Sequence, residues 1–116
     1  MLKNSEIFVK FSVEGVHCWP NAPKNRAYLA TPHRHLFYVE VRCDVTHDDR
    51  EIEFHDLLDA AKALYKGGNM GEMSCEQMAR NLGEALAQQY QRNFTVEVSE
   101  DNECGAKVVV EYNGVQ

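Results

Sequence analysis

The sequence predicts an α+β fold in the order ββααββ: a four-stranded, largely antiparallel sheet with two helices on one face. Three observations predict it. Apolar residues recur at every second position over 7–13 and 36–45, the period of a half-buried strand. From Phe54 the period becomes helical, and it returns to strand-like runs at 94–98 and 107–112. Runs of one element type, in place of strict strand–helix alternation, suit an antiparallel sheet with segregated helices.

Each element has its own signature. In the first strand Ile7, Val9, Phe11 and Val13 share one face, opposite Phe8, Lys10 and Ser12. Residues 19–32 carry Pro20, Pro23 and Pro32 with Asn21 and Asn25, which predicts a loop of constrained backbone. The second strand sets Phe37, Val39, Val41, Cys43 and Val45 against Tyr38, Glu40, Arg42 and Asp44. Phe54, Leu57, Leu58, Ala61, Leu64 and Tyr65 then lie at helical spacing, and Gly67-Gly68 stops that helix. Ser74-Cys75-Glu76-Gln77 fits a capping box opening a second helix, whose stripe is Met78, Leu82, Ala85, Leu86 and Tyr90. Residues 101–105 read as the turn between the last two strands.

The 116 residues are enough for one domain, expected to span 1–116, and too few for two. Hydrophobic residues at 44% and charged residues at 26% describe a globular chain and not a disordered one. The net charge of −6 argues against nucleic acid and anionic membranes, which recruit clustered positive charge. No run approaches the ~20 apolar residues of a membrane span. The opening Met1-Leu2-Lys3-Asn4-Ser5-Glu6 does not resemble an export signal, so a cytoplasmic location is expected. Cys18, Cys43, Cys75 and Cys104 form no C-x-x-C pair, which removes zinc-ribbon and thioredoxin motifs and predicts free thiols. A domain this short buries only about two-thirds of its unfolded surface, which leaves scope for oligomerisation.

The histidines carry the chemistry. His33 and His35 are two apart at the entrance of the second strand, so their imidazoles share a face with Phe37, Val39 and Val41. His17 follows the first strand, and pairing of the two strands as a hairpin would return it beside them. A lone H-x-H is weak evidence for a metal and is more often a pair of exposed turn histidines. The third imidazole tips the reading towards metal, because three histidines with an open position are a common catalytic zinc set. His47, in a polar turn, and His55, opening a helix, are read as ordinary surface residues.

With these motifs in order, the chain resembles the 6-pyruvoyltetrahydropterin and 6-carboxytetrahydropterin synthase family, which adopts the T-fold. The family's F-x-F-x-A-A-H is similar to Phe11-Ser12-Val13-Glu14-Gly15-Val16-His17. Its H-G-H-x-Y/F and following valine-rich strand resemble His33-Arg34-His35-Leu36-Phe37-Tyr38-Val39-Glu40-Val41. Its V-x-D-F-x-x-L-K resembles Ile52-Glu53-Phe54-His55-Asp56-Leu57-Leu58. Its P-T-x-E-N helix start resembles Met73-Ser74-Cys75-Glu76-Gln77, and V-x-V-x-E-T resembles Val96-Glu97-Val98-Ser99-Glu100-Asp101. The resemblance runs from about residue 7 to 112 in unbroken order.

The resemblance implies a zinc ion held by His17, His33 and His35, with 7,8-dihydroneopterin triphosphate as the substrate class. In that family the metal acidifies side-chain hydroxyls and stabilises an enolate, in a zinc-dependent carbon–oxygen lyase reaction. Glu100 matches the family's pterin anchor, a carboxylate that accepts from a ring N–H and an amino group side by side. Glu76 matches a second family glutamate, although an acid in a helix's first turn also simply complements the dipole. The family assembles as trimers or hexamers in which four-stranded sheets close into a β-barrel, so a homo-oligomer is implied.

The chain also departs from the family. Leu29 stands where the family carries its proton-moving cysteine, four residues before H-x-H, and residues 65–73 lack the family's Asp-His relay. Arg34 replaces the central glycine of H-G-H. Cys18 adjoins His17, but strand alternation would turn it to the other face. Glu14, Glu72 and Glu103 are carboxylates that would serve as substitutes, and the sequence does not choose among them. Lys24, Arg26, Arg34 and Lys107 are the available cations. Two readings follow: an active enzyme, or a divergent binding module that keeps the metal and the pterin pocket without turnover.

Overall fold

A computed structural model describes residues 5–114. Strand β1 (Ser5–His17) pairs antiparallel with β2 (His33–Val45), residue for residue from Ser5 opposite Val45 to His17 opposite His33. Helix α1 (Phe54–Leu64), a two-residue strand β3 (Gly68–Asn69) and helix α2 (Cys75–Tyr90) follow. Strands β4 (Phe94–Glu100) and β5 (Cys104–Val110) complete a sheet of order β3-β1-β2-β4-β5.

The α+β class and the order of the main elements are as predicted; the strand count is not. The sheet has five strands, because β3 lies parallel to Gly15 and Val16 of β1. Two residues are too few for any periodicity to reveal. Gly67 makes the strand possible: its φ of +80 suits glycine, and a Cβ there would sit 2.2 Å from the Glu14 carbonyl oxygen. The predicted loop over 19–32 contains a 3-10 segment, Lys24–Ala30, with a break at Arg26. The fourth long strand begins at Cys104, three residues before the predicted start at Lys107 and inside the predicted turn.

The core forms where the inward residues of the sheet meet the two helices. Phe37, Val41, Val96 and Val98 are fully buried, as are Leu57, Met78 and Leu86 from the helices. Each large side chain removed from water in this way contributes roughly 1.5–3 kcal/mol. Helix α2 begins at Ser74 with the predicted capping box: Ser74 Oγ accepts from the Gln77 N–H at 3.1 Å, and Gln77 Oε1 accepts from the Ser74 N–H at 2.9 Å. Gly83 lets this helix approach the sheet, since a Cβ there would meet Val110 Cγ2 at 2.8 Å. The loop after β2 is fastened by Glu51, which accepts from the backbone and hydroxyl of Thr46 and from Arg92. This frame brings the ends of β1, β2 and β4 together with the start of α2.

Candidate metal centre

The strand register assembles three histidines. His17 is the cross-strand partner of His33, and His35 lies opposite Gly15, two residues along the same face. Their ring centroids are 4.5, 4.9 and 5.3 Å apart, and one nitrogen from each lies within 4.8 Å of the others. Among the described residues this is the one group of side chains arranged to hold a metal ion.

The far side of each ring is tied down. Nδ1 of His17 bonds the Met73 carbonyl at 2.9 Å, that of His33 the Thr31 carbonyl at 2.8 Å, and that of His35 Asp101 Oδ2 at 2.7 Å. Carbonyls and carboxylates only accept, so each Nδ1 carries a hydrogen, and in the neutral ring each Nε2 presents a lone pair. Ligating histidines are oriented by such outer contacts. The Nε2 atoms of His17 and His35 are buried and have no hydrogen-bond partner. Glu100 faces them, with Oε2 at 3.0 Å from His17 Nε2 and Oε1 at 3.7 Å from His35 Nε2. Lone pairs and a carboxylate pointed at one another in a buried site are costly without a cation between them. The donor set therefore fits a divalent ion of zinc's type, for which imidazole nitrogen is a suitable ligand.

Asp101 is the residue the sequence reading missed. Its Oδ2 holds His35, its Oδ1 accepts the Leu36 N–H at 3.0 Å, and its own N–H bonds the Leu36 carbonyl at 2.8 Å. The Leu36 N–H and then the His35 contact hold its carboxyl below the usual aspartate range. Only its place beside Glu100 hinted at this role. A turn acid is otherwise indistinguishable from a solvated one.

A cavity of about 610 Å³ opens beside the histidines. Its wall includes His17, His33 and Glu100, and also Glu76 from the first turn of α2. Leu29 lines it too, as do Trp19, exposed by half, and Glu72. Cys18 lies in this wall as well, against the expectation that it turns away. Alternation does not reach it: β1 ends at His17, and the Cys18 N–H bonds the Gly71 carbonyl at 3.0 Å. Glu14 lines a different surface with Arg34 and Lys66, and Glu103 lies in the β4–β5 turn; neither belongs to the cavity. None of Lys24, Arg26, Arg34 or Lys107 lines it. His47 and His55 stay outside the cluster, in the loop with Glu51 and at the start of α1. All four cysteines are free thiols.

With this geometry in hand, solved structures give the fold a name. The chain superposes on a Plasmodium vivax 6-pyruvoyltetrahydropterin synthase with a TM-score of 0.73 at 15% identity, covering 94% of this chain and 99% of that one. This chain has the fold of the 6-pyruvoyltetrahydropterin synthases. A second P. vivax structure of the synthase gives 0.71 at 13% identity over the same shares. The Caenorhabditis elegans synthase gives 0.62 at 10%, covering 95% of this chain and 96% of that one. The first P. vivax structure is a variant in which a glutamate described as catalytic is replaced by alanine. No protein-family model and no curated protein matches the chain by sequence. No helix among the described residues is long and apolar enough to cross a membrane.

Proposed function

We propose that residues 1–116 form a single zinc-binding domain, similar to 6-pyruvoyltetrahydropterin and 6-carboxytetrahydropterin synthases, that acts on 7,8-dihydroneopterin triphosphate as a carbon–oxygen lyase. The observation that carries this reading is the set of three oriented imidazoles, His17, His33 and His35, at the edge of a cavity of about 610 Å³ that His17 and His33 line. Zinc bound there would act as a Lewis acid towards side-chain oxygens of the substrate. The chain's own residues do the rest. Glu100 and Glu76 offer acceptor oxygens to the donor edge of a pterin, and charge-assisted two-point contacts of that kind are strong. Trp19 offers a flat face for the ring.

The binding-module alternative leaned on Leu29 and the missing relay. The cavity wall nevertheless holds Cys18 and Glu72, so a proton acceptor is within the site. The P. vivax protein, whose catalytic residue is described as a glutamate, supports a carboxylate in that position of the chemistry. A homo-oligomer, trimer or hexamer, also fits this reading. The Cα radius of gyration of 15.7 Å exceeds the about 13 Å of a compact domain of this length. Phe8, Tyr38 and Val109 stand exposed on the face of the sheet away from the helices, a surface that further copies would cover.

Metal analysis of the purified protein is expected to give about one zinc per chain, lost in His33→Ala. Incubation with dihydroneopterin triphosphate should release triphosphate. A protein free of metal and inert to pterins overturns the proposal, while substrate bound and never converted leaves the binding module.

A further inference from the structure

We infer that Glu72 is the carboxylate that carries protons to and from the substrate's side chain, an inference that rests on the function proposed above. Three other ionisable groups of the wall are less suited, and Cys18 is set against Glu72 in the test below. Cys75 is buried, and burial pushes its thiol up to about 12, so it stays protonated. Glu100, 3.0 Å from His17 Nε2 and 3.7 Å from His35 Nε2, is the carboxylate assigned to the metal and the pterin edge. Glu76, in the first turn of α2, is assigned with Glu100 to the donor edge of the pterin.

Glu72 is held between two bonds to the metal-binding strand. The residue before it, Gly71, accepts from the Cys18 N–H at 3.0 Å; the residue after it, Met73, accepts from His17 Nδ1 at 2.9 Å. Two further bonds brace the segment: Met70 N–H to the Val16 carbonyl at 2.7 Å, and Gly71 N–H to Asn69 Oδ1 at 2.8 Å. The Glu72 carboxylate itself has no ion pair and no hydrogen bond among the described residues, so its lone pairs are free. It lines the same cavity as His17, whose side chain is only 9% exposed and whose Nε2 has no hydrogen-bond partner. An exposed carboxylate without a protein partner, on a backbone held to the histidine strand and lining the cavity that His17 also lines, can take up and release a proton at a molecule bound there.

The step balances within the substrate. Glu72 takes the proton from the side-chain carbon attached to the ring, and the C–H electron pair moves towards the ring's C=N bond. The hydroxyl on that carbon becomes a carbonyl and gives its proton to the ring nitrogen, while the protonated carboxyl delivers its own proton to the ring carbon, so nothing is oxidised or reduced from outside. Triphosphate leaves in a separate step: Glu72 takes the proton of the next side-chain carbon, that C–H pair forms a C=C bond, and the leaving group departs with the C–O pair.

The test is deuterium uptake from D2O into the side chain of dihydroneopterin triphosphate, read by mass spectrometry for zinc-loaded wild type, Glu72→Gln, Glu72→Asp, Cys18→Ser and Glu14→Gln. Zinc content and a pterin titration followed by Trp19 fluorescence accompany each. Glu72→Gln is expected to slow uptake ~10²–10⁴-fold with zinc and pterin binding retained. Glu72→Asp should keep a measurable share, and Glu14→Gln should match wild type. Uptake by Glu72→Gln within a few-fold of wild type overturns the inference, as does loss of uptake in Cys18→Ser alone. Wild type that binds zinc and pterin without exchange overturns the role of Glu72 and leaves binding intact. Wild type that binds neither overturns the functional proposal itself.

Discussion

Glu100 Oε2 lies 3.0 Å from Nε2 of His17, and with the imidazole neutral both atoms are acceptors, because its one hydrogen is committed to the Met73 carbonyl. The contact is unfavourable in that state and is relieved by a cation between the two atoms. Glu100→Gln places an amide donor where the carboxylate was. Metal-free Glu100→Gln is therefore expected to melt above metal-free wild type by about 4 °C, the equivalent of one ordinary hydrogen bond in a domain of this size. Added zinc should raise the melting temperature of wild type more than that of the variant. Thermal scans with and without zinc decide it, and identical behaviour of the two proteins removes Glu100 from the centre.

Asp101 is expected to tune the metal through His35. Asp101→Asn keeps an oxygen for the Leu36 N–H and tolerates the left-handed φ of +55, so the turn should survive. It sets an amide NH2 against the His35 Nδ1–H in place of the accepting oxygen, and loss of such outer contacts typically costs 10–100-fold in metal affinity, so a drop of about that size is expected. Competition against a chelating dye measures it. An unchanged affinity means that the 2.7 Å contact does no more than fix the turn.

The elements that were legible in the sequence are those with a repeating pattern or a cap. The alternation of Val39, Val41 and Cys43 and the Ser74–Gln77 box each state their structure locally. The histidine trio was legible for the same reason, since parity on one strand and a hairpin partner suffice to bring imidazoles together. What stayed hidden depends on non-local backbone bonds. Gly68–Asn69 becomes a strand only because Gly67 folds back against Glu14, and Cys18 enters the cavity only because Gly71 holds its N–H. Asp101 needed the position of His35, 66 residues away, to acquire a meaning.

Stability at low pH should depend on Glu51. The Thr46 hydroxyl, then Arg92, then the Thr46 N–H hold its carboxyl down at about 2 from an ordinary 4.5. A folded value below the unfolded one means that the contribution is full above about pH 4.5 and is lost as pH falls towards 2. Glu51→Gln is thus expected to lower the urea midpoint at pH 7, with the gap to wild type narrowing steadily below pH 4.5. Urea titrations across that range test it. A gap that stays constant with pH assigns the effect to packing and not to the charge.

Trp19 should report on, and strengthen, ligand binding. Its backbone is pinned, N–H to the Leu29 carbonyl at 2.8 Å and carbonyl to the Ala22 N–H at 3.0 Å, while its side chain stays half exposed at the cavity. Stacking of a flat heterocycle on such a ring is worth about 1–3 kcal/mol, or roughly 5- to 150-fold in affinity. Trp19→Ala is expected to weaken pterin binding by an amount in that range without altering zinc content, and Trp19→Phe should recover most of it. Because Trp19 is the sole tryptophan, its emission should fall saturably as pterin is added to wild type. Emission that ignores pterin, together with unchanged affinity in Trp19→Ala, places the ring elsewhere in the cavity, against Glu76 and the start of α2.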